Sequence, residues 1–501
     1  MSLKKNITAN YFGQIYATLI GIVMVPLYIK YMGAEAYGLV GFFGMLQAWF
    51  NLLDIGLTPT MARESARFHG GAISALDYRR IARALEGVFV LVALLGGLLL
   101  FVLSGQVAAR WLNANQLPLR EITSSLQLMA VIAALRWMGG LYRGVITGAE
   151  KLVWLSGFNS LIATLRFVLI VPVLIFVSAS PLAFFGFQLA VAVIESVGLV
   201  WMSYRLLPAI PPGQRIEWEW APLRPVLKFS LSIAFTSSAW VLVTQTDKLV
   251  LSKILPLADY GYFTVAVLVA NGVMVLGGPI TSALIPRMAR LEAEAASEQL
   301  IALYRKGTQL VTMVCGSVGL FICVFAKPIL WTWTGDNHLT EFVAPILSLY
   351  ALGNTVLSFS AFPGYLQYAK GNLRLHVLGN LLYFIFLLPS MVWAALTFGV
   401  MGVGTVWLII NSAYFLCWTP LVHAKFLPGL HFSWLCRDVF RILLPSAFSC
   451  FLVLFSMNFS VNRIVSFFQL VGSFACVVIA SAIFSSDARK FIANKLLNRA
   501  Q

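Results

Sequence analysis

The chain has 501 residues, of which 60% are hydrophobic and only 11% are charged, and its formal net charge is +16. Soluble globular proteins carry roughly 25% charged residues, so this composition excludes an ordinary soluble protein. Long apolar runs recur, for example Val88–Leu103 and Leu161–Val177. With its uncharged flanks each run reaches about 20 residues, enough to cross a bilayer as a helix. The short alternating segments of a transmembrane barrel are not seen, so we predict an all-α polytopic membrane protein.

Charged and Pro/Gly-rich breaks between the apolar runs predict fourteen transmembrane helices. Their predicted limits are 8–29, 36–58, 81–104, 122–147, 152–177, 182–204, 226–255, 260–285, 307–330, 341–369, 375–398, 401–422, 439–457 and 462–484. Only very short turns, at Ser178–Pro181 and Phe398–Met401, separate span five from span six and span eleven from span twelve. The first segment follows Lys4 and Lys5 and has no small-residue cleavage site, so we interpret it as a membrane helix and not as a signal peptide.

The lysines and arginines are distributed unevenly between the two ends of the predicted spans. With the N-terminus in the cytoplasm and the loops alternating, most of the 35 basic residues fall on the cytoplasmic side. Six fall on the opposite side, namely Lys30, Arg110, Arg120, Lys253, Lys327 and Arg463. This positive-inside asymmetry predicts that both termini are cytoplasmic. Because the basic residues lie in short loops beside anionic lipid, we expect membrane lipids, and no nucleic acid, as their partners.

Several short phrases occur twice, about half a chain apart. Pro59–Arg63 and Pro286–Arg290 both read Pro-x-Met-Ala-Arg. Three further pairs keep the same order and nearly the same spacing, namely Tyr37-Gly38 with Tyr260-Gly261, Tyr78-Arg79-Arg80 with Tyr304-Arg305-Lys306, and Gly148 with Gly371. Four such pairs indicate an internal duplication.

The duplication divides the chain into five predicted segments. Spans 1–6 form an N-lobe (residues 1–204) and spans 7–12 a C-lobe (226–422), joined by a cytoplasmic linker (205–225). Because each copy holds an even number of spans, both enter the membrane from the same side, as in transporters built from parallel repeats. Spans 13 and 14 occupy 423–484, and 485–501 is expected to form an amphipathic tail on the cytoplasmic membrane surface.

A resemblance to a known family rests on four segments. Thr246–Lys253 reads TDKLVLSK and Asp259–Phe263 reads DYGYF. Together with Asp54–Leu57 followed by Arg63, and with Gly148–Lys151, they resemble the O-antigen and polysaccharide flippases. That family belongs to the multidrug/oligosaccharidyl-lipid/polysaccharide exporter superfamily.

The resemblance implies a flippase that moves an undecaprenyl-diphosphate-linked oligosaccharide across the bacterial inner membrane, for O-antigen or exopolysaccharide synthesis. It implies alternating access of two lobes around a hydrophilic, often cationic cavity. It also implies no cofactor beyond a coupling H⁺ or Na⁺, and a polysaccharide polymerase and a chain-length regulator as partner proteins. No motif identifies the sugar.

Arginines occur inside predicted spans, where an ionisable group costs roughly 2.5–3.5 kcal/mol and usually faces a cavity or a partner. Arg136 and Arg143 are seven residues apart and share one face of span four, and Arg166 lies in the middle of span five. One interpretation is a cationic wall that binds a diphosphate head, for which arginine offers fixed bidentate donors. The alternatives are structural pairing with Asp54, Glu86 or Glu195, and snorkelling of Arg143 to the interface.

Span seven is unusually polar and contains Thr244-Gln245-Thr246-Asp247-Lys248. Its repeat partner, span one, carries Asn6, Asn10 and Gln14 on one face. A lipid-facing helix would not carry so many polar side chains. We therefore expect both helices to line the cavity, with Gln245 and Lys248 among the lining residues. Asp247 is interpreted either as an ion-coupling carboxylate or as half of a static ion pair. Lys248 points roughly 100° away on a helix and need not neutralise it.

The repeated Pro-x-Met-Ala-Arg phrase is expected to end the second helix of each lobe, with its proline bending the helix exit. Arg63 and Arg290 would then form a cytoplasmic gate that meets the lipid headgroups or the polar head of the substrate. The alternative is that both arginines serve only as topology anchors.

Two other classes of function compete with a flippase. A multidrug or organic-ion exporter of the same superfamily usually has twelve spans, and spans 13 and 14 favour a lipid-linked substrate because they are expected to line a groove for the prenyl tail. A membrane-embedded glycan polymerase or ligase is disfavoured, since the longest outer loop (104–121) carries Arg110 and Arg120 but no acidic pair. Asp336, His338 and Glu341 share a short loop, and we interpret them as solvent-facing polar residues in preference to metal ligands.

Overall fold

The computed structural model describes residues 3–209 and 223–485, with the side chains of 11–209, Ser230, Ser238 and 240–485. Nearly all of these residues are helical, and the described part of the chain contains no β-strand. Within the described ranges, one isolated bridge of extended residues pairs Asn113 with Pro256. The predicted all-α class is confirmed.

The first of two compact units covers Met1–Gly261. Its helices are α1 (Leu3–Val23), α2 (Val25–Met32), α3 (Ala34–Phe50), α4 (Leu57–His69), α5 (Ala75–Arg110), α6 (Leu119–Gly148), α7 (Leu152–Phe167), α8 (Ile170–Phe176), α9 (Pro181–Leu206), α10 (Leu223–Ile254) and the first residues of α11 (Leu257–Ala293). Helix α6 packs against α4, α5 and α9, and α1 packs against α7. Helix α6 is therefore the centre of this unit.

The second unit covers Tyr262–Gln501. After the rest of α11 it contains α12 (Ser297–Val311), α13 (Ser317–Val324), α14 (Ala326–Thr334), α15 (Asn337–Ser360), α16 (Phe362–Ala369), α17 (Arg374–Ala413), α18 (Thr419–Phe426), α19 (Leu430–Trp434), α20 (Arg441–Ser456) and α21 (Arg463–Phe484). Helices α20 and α21 pack on each other and on α13 and α14, around a core that includes Phe325, Cys450 and Val477.

Twelve helical stretches of the described residues are long and apolar enough to cross a membrane, which fits a multi-pass membrane protein. One of them, Arg374–Phe426, is interrupted at Gly399, whose φ of 60° and ψ of −143° are not helical. This break falls at the predicted split between spans eleven and twelve, and glycine tolerates it because it has no Cβ. Helix α10 occupies the position of predicted span seven but is not among the twelve, so the count of fourteen stays a prediction.

The second predicted span ends earlier than the sequence suggested. Helix α3 stops at Phe50, a 3₁₀ turn follows, and Ile55 and Gly56 are left-handed. A new helix, α4, then starts after Gly56, and the Asp54 carboxylate accepts hydrogen bonds from the amide (3.1 Å) and hydroxyl (2.7 Å) of Thr58 in its first turn. The expectation that the repeated phrase ends the second helix of both lobes is therefore wrong for the first copy. Pro59–Arg63 lies in the separate α4, whereas Pro286–Arg290 lies within α11.

Helix α4 lies flush against α6 because of three glycines spaced four residues apart. A Cβ on Gly144 would lie 2.8 Å from the Thr58 carbonyl oxygen, and one on Gly148 would lie 2.2 Å from the Ala62 carbonyl oxygen. Gly140 extends the same row. Small residues at this spacing allow two helix backbones to touch, so α6 is covered along this side.

Hydrogen bonds connect the loop between α5 and α6 to two other segments of the first unit. The buried Glu35 carboxylate accepts hydrogen bonds from the backbone N–H groups of Asn115, Gln116 (2.8 Å) and Leu117 (3.2 Å). Asn113 donates to the Lys253 carbonyl (2.9 Å) and accepts from the Leu257 amide (2.8 Å). The loop thereby joins the start of α3 to the connection between α10 and α11.

The compact units do not follow the predicted lobes. Helix α10, predicted to open the C-lobe, belongs to the first unit, where Ser230 donates a hydrogen bond to the Ile55 carbonyl. Most of the predicted linker and all but Ser485 of the predicted tail lie outside the described residues. The two repeat lobes stay a prediction.

Candidate functional site

Three helices of the first unit each present two polar residues seven positions apart. The pairs are Arg136 and Arg143 on α6, Asn159 and Arg166 on α7, and Gln188 and Glu195 on α9. Seven residues make about two helical turns, so each pair shares one helix face. The three faces meet, and we call these six residues the arginine cluster.

Glu195 is the acidic member of the arginine cluster. It is buried, Arg143 Nη2 donates a hydrogen bond to its Oε1, and Arg136 Nε lies 3.7 Å from its Oε2. One carboxylate therefore faces two guanidinium groups and fully compensates neither. Breaking such a buried pair is costly, because it leaves an uncompensated charge.

The amides of the arginine cluster link the three helices. Arg136 Nη2 donates to Gln188 Oε1 (2.9 Å), and Gln188 Nε2 donates to the Arg166 carbonyl (2.9 Å). Arg143 Nη1 donates to Asn159 Oδ1. Helices α6, α7 and α9 are thus joined by charge-assisted and neutral hydrogen bonds, which fix the directions of the Arg136 and Arg143 guanidinium groups.

Positive charge exceeds negative charge in the arginine cluster, which holds three arginines and a single carboxylate. The side chain of Arg136 is only 9% exposed. Among the described residues, Arg136 Nη1 and Arg166 Nε are buried without a hydrogen-bond partner. Buried charged donors without partners are costly. The rings of Phe43 and Phe167, 5.5 and 5.2 Å from the Arg136 and Arg166 guanidinium carbons, offset part of that cost. The cluster therefore has unused capacity for an anion.

Asp247 and Lys248 lie together on α10 and both are largely buried. Lys248 Nζ lies 3.4 Å from Asp247 Oδ1 and donates to the carbonyl of Thr244, one turn earlier. The lysine folds back along the helix, which brings adjacent side chains into contact despite their different directions. The neighbouring Gln245 is half-buried and donates to Thr244 Oγ1 (3.4 Å).

The other predicted site residues with described side chains make contacts of their own. Asp54 accepts hydrogen bonds in the first turn of α4, and Gln14 is exposed on α1. Arg63 lies 3.4 Å from the buried Glu64, and Arg290, which is 78% exposed, pairs with Glu294 at 2.7 Å. The side chain of Asn10 lies outside the described residues.

Sequence reasoning missed Asn159 and Gln188, although a signal was present. Each lies seven residues before a charged residue that the sequence analysis named, Arg166 or Glu195. A search for repeated seven-residue spacing on spans five and six would have found them.

A second buried polar group, in the second unit, was also missed. Asp438 is fully buried and accepts hydrogen bonds from Arg305 Nε (2.7 Å) and Gln309 Nε2 (2.7 Å). Next to it, the Tyr304 hydroxyl and His423 Nε2 are 2.7 Å apart. These contacts join α12 to the segment before α20, so their role is structural cohesion of the second unit.

No group of three or more His, Cys, Asp or Glu residues suited to a metal ion occurs among the described residues. Of the three residues predicted to share a loop, His338 and Glu341 lie in α15 instead. Asp336 caps this helix by accepting a hydrogen bond from Leu339 N (3.1 Å), and Glu341 pairs with Lys327 (2.6 Å). His338 lies against the ring of Tyr262.

The fold is similar to that of two solved membrane proteins. A lipid II flippase, MurJ, in an inward closed conformation matches with a TM-score of 0.73 and 14% identity, over 96% of this chain and 99% of that chain. An inward-facing multidrug resistance MATE family transporter of the MOP superfamily matches with a TM-score of 0.67 and 13% identity, over 81% and 95% of the two chains.

The family follows from the sequence itself. The profile of the family described as "Polysaccharide biosynthesis protein" matches residues 3–292. The chain belongs to this family, as its resemblance to the polysaccharide flippases predicted. The uncharacterized membrane protein EpsK of Bacillus subtilis (strain 168) is 21% identical over 376 residues, which cover 72% of this chain and 71% of that protein.

Proposed function

We propose that this protein is a flippase that moves an undecaprenyl-diphosphate-linked oligosaccharide across the bacterial inner membrane by alternating access. The product would serve O-antigen or exopolysaccharide synthesis, beside a polymerase and a chain-length regulator. Both termini would be cytoplasmic. The observation that carries the proposal is the arginine cluster, an interior site in a polysaccharide-biosynthesis protein with more cations than anions.

The chemistry of the cluster suits a diphosphate. A diphosphate concentrates several negative charges on a few oxygen atoms, and guanidinium groups bind such oxygens through paired N–H donors. Arg136 Nη1 and Arg166 Nε lack protein acceptors among the described residues, so a phosphate oxygen would satisfy donors that the fold leaves unused. Glu195 keeps Arg136 and Arg143 near each other without cancelling both charges.

The excess of positive charge in the arginine cluster argues against the alternative function, export of organic cations. A multidrug exporter of organic cations would place a positive substrate beside Arg136 and Arg166, where like charges repel. The MATE transporter shares the fold with this chain at 13% identity, and a shared fold does not carry a shared substrate.

A reconstituted flipping assay tests the proposal. The purified chain is placed in proteoliposomes with a fluorescent undecaprenyl-diphosphate oligosaccharide, and the initial rate of its appearance in the opposite leaflet is measured. Arg136→Gln and Arg166→Gln should each lower the rate about tenfold, since a hydrogen bond to a charged group contributes roughly 1.5–3 kcal/mol. Wild-type rates in both variants would refute the assignment.

Two control variants separate substrate binding from general charge effects. Arg120→Gln removes a positive charge from the same helix α6, at an exposed position, and should flip at the wild-type rate. Arg166→Lys keeps the positive charge but loses the planar guanidinium group, so its flipping rate should lie between those of the wild type and Arg166→Gln. An organic cation transported at equal rates by wild-type protein and Arg136→Gln would favour the exporter.

A further inference from the structure

A cavity of about 270 Å³ lies between α5, α6 and α9 of the first unit, and none of the arginine-cluster residues lines it. Its polar lining comprises Arg79, Arg83, Glu86, Tyr142 and Tyr204. Four aliphatic side chains complete the lining, Ala82, Leu141, Val145 and Leu207. The cavity therefore combines charged groups with an apolar surface.

Glu86 organises the polar side of this cavity. Its Oε1 accepts hydrogen bonds from the hydroxyls of Tyr142 (2.9 Å) and Tyr204 (2.9 Å), and its Oε2 accepts one from Arg83 Nη1 (2.8 Å). Both carboxylate oxygens are thus occupied by donors of the protein. The carboxylate neutralises one guanidinium group and leaves the cavity with a net positive charge.

The two arginines retain free donors. Arg79 Nε donates to the Pro208 carbonyl (2.6 Å), which holds its guanidinium group in place beside the Tyr204 ring. Within the described residues, the terminal nitrogens of Arg79 and the Nε and Nη2 atoms of Arg83 make no hydrogen bond to the protein, and the Arg83 side chain is 57% exposed. Two oriented guanidinium groups with free N–H edges form a favourable site for a phosphate.

The surroundings place the cavity at the level of lipid headgroups. On α9, Trp201 and Tyr204 are exposed, and the Arg205 guanidinium carbon lies 4.4 Å from the centre of the Trp201 ring. Exposed tryptophan and tyrosine beside arginine are typical of the membrane–water interface. This level is reached by the phosphate of a bilayer lipid, and the apolar lining suits the lipid's glycerol and upper acyl carbons.

We propose that this cavity binds the phosphate group of an anionic phospholipid. Arg79 and Arg83 would contact the phosphate, and Leu141 and Val145 the adjoining apolar part. The lipid would then hold the ends of α5, α6 and α9 together, so the stability of the protein would depend on anionic lipid. This role is separate from substrate transport and does not rest on it.

Thermal unfolding of the purified full chain in detergent tests the proposal. The midpoint is measured with added phosphatidylglycerol, with phosphatidylcholine of the same acyl chains, and with inorganic phosphate. Phosphatidylglycerol should raise the midpoint in a saturable manner, and the other two should not. Equal effects of the two lipids, or full stabilisation by inorganic phosphate, would overturn the assignment to an anionic lipid.

Variants locate the effect in the cavity. The double variant Arg79→Gln/Arg83→Gln should lose the response to phosphatidylglycerol, whereas Arg80→Gln, on the same helix but outside the lining, should keep it. Leu207→Trp fills the cavity from a loop position without changing charge and should also lose the response, which guards against misfolding of the double variant. A full response in both cavity variants, or its loss in Arg80→Gln, would contradict the proposal.

Discussion

Gly38 and Gly261 lie directly against each other in the first unit. A Cβ on Gly261 would be 3.0 Å from the Gly38 nitrogen, and a Cβ on Gly38 would be 2.1 Å from the Leu257 carbonyl oxygen. These glycines are partners in the repeat that the sequence indicated. The close contact leaves no room for a side chain on either glycine.

Gly38→Val should therefore destabilise the protein strongly. The new side chain would meet backbone atoms, which cannot rotate away, so we expect a loss above the roughly 1–3 kcal/mol typical of overpacking. Gly44→Ala on the same helix is the matched control, because a Cβ there meets nothing within 4 Å. The thermal midpoint in detergent is the measurement. Equal midpoints for Gly38→Val and wild type would show that the close contact is absent in solution.

Glu195→Gln should lower stability, because it leaves Arg136 and Arg143 without a carboxylate. Breaking a buried ion pair costs about 3–5 kcal/mol. Adding Arg143→Gln removes the partner that donates to Glu195 Oε1 and should recover part of the loss. A double-mutant cycle from the unfolding midpoints measures this coupling. Purely additive effects would mean that the two residues do not interact.

Asp247→Asn should abolish any dependence of flipping on an H⁺ or Na⁺ gradient if Asp247 binds the coupling ion. Lys248 complicates this test, because the single variant leaves a largely buried lysine without its nearby carboxylate. The double variant Asp247→Asn/Lys248→Gln removes both charges, and we expect it to be equally insensitive to the gradient. Recovery of gradient dependence in the double variant would assign Asp247 to a static pair.

Asp438→Asn should destabilise the second unit. The buried carboxylate holds Arg305 and Gln309 at 2.7 Å each, and the amide would leave Arg305 uncompensated, at a cost of about 3 kcal/mol. Glu298→Gln, at an exposed position in the first turn of α12, is the control and should unfold at the wild-type midpoint. A wild-type midpoint in Asp438→Asn would rule out this anchoring role.

Hydrophobicity alone was enough to predict the helical membrane fold and most span positions, since burial in lipid demands long apolar helices. It was not enough at the second span. The chain there is left-handed at Ile55 and Gly56 and becomes helical again after Gly56. Two residues make that break, and an apolar run continues across it without a visible change.

The arginines of the candidate site were found because charge inside a span is conspicuous. Their neutral partners Asn159 and Gln188 were not found, since a single amide side chain in a predicted span does not by itself indicate a site. Which carboxylate pairs with the arginines depends on helix packing, and the sequence offered Asp54, Glu86 and Glu195 as equals. In the structure Glu195 pairs with Arg136 and Arg143. Glu86 instead accepts hydrogen bonds from Arg83, Tyr142 and Tyr204.

The hydrogen bonds of Glu35 and Asn113 in the α5–α6 loop restrict how α3 and the α10–α11 connection can move apart. One carboxylate receives three backbone amides, from residues 115 to 117, while Asn113 holds Lys253 and Leu257. Separating α3 from the α10–α11 connection would require either the three bonds to Glu35 or the bonds of Asn113 to break as a set. Displacement there would be an abrupt, cooperative release instead of a gradual slide, and removing the Glu35 charge would lower its activation barrier.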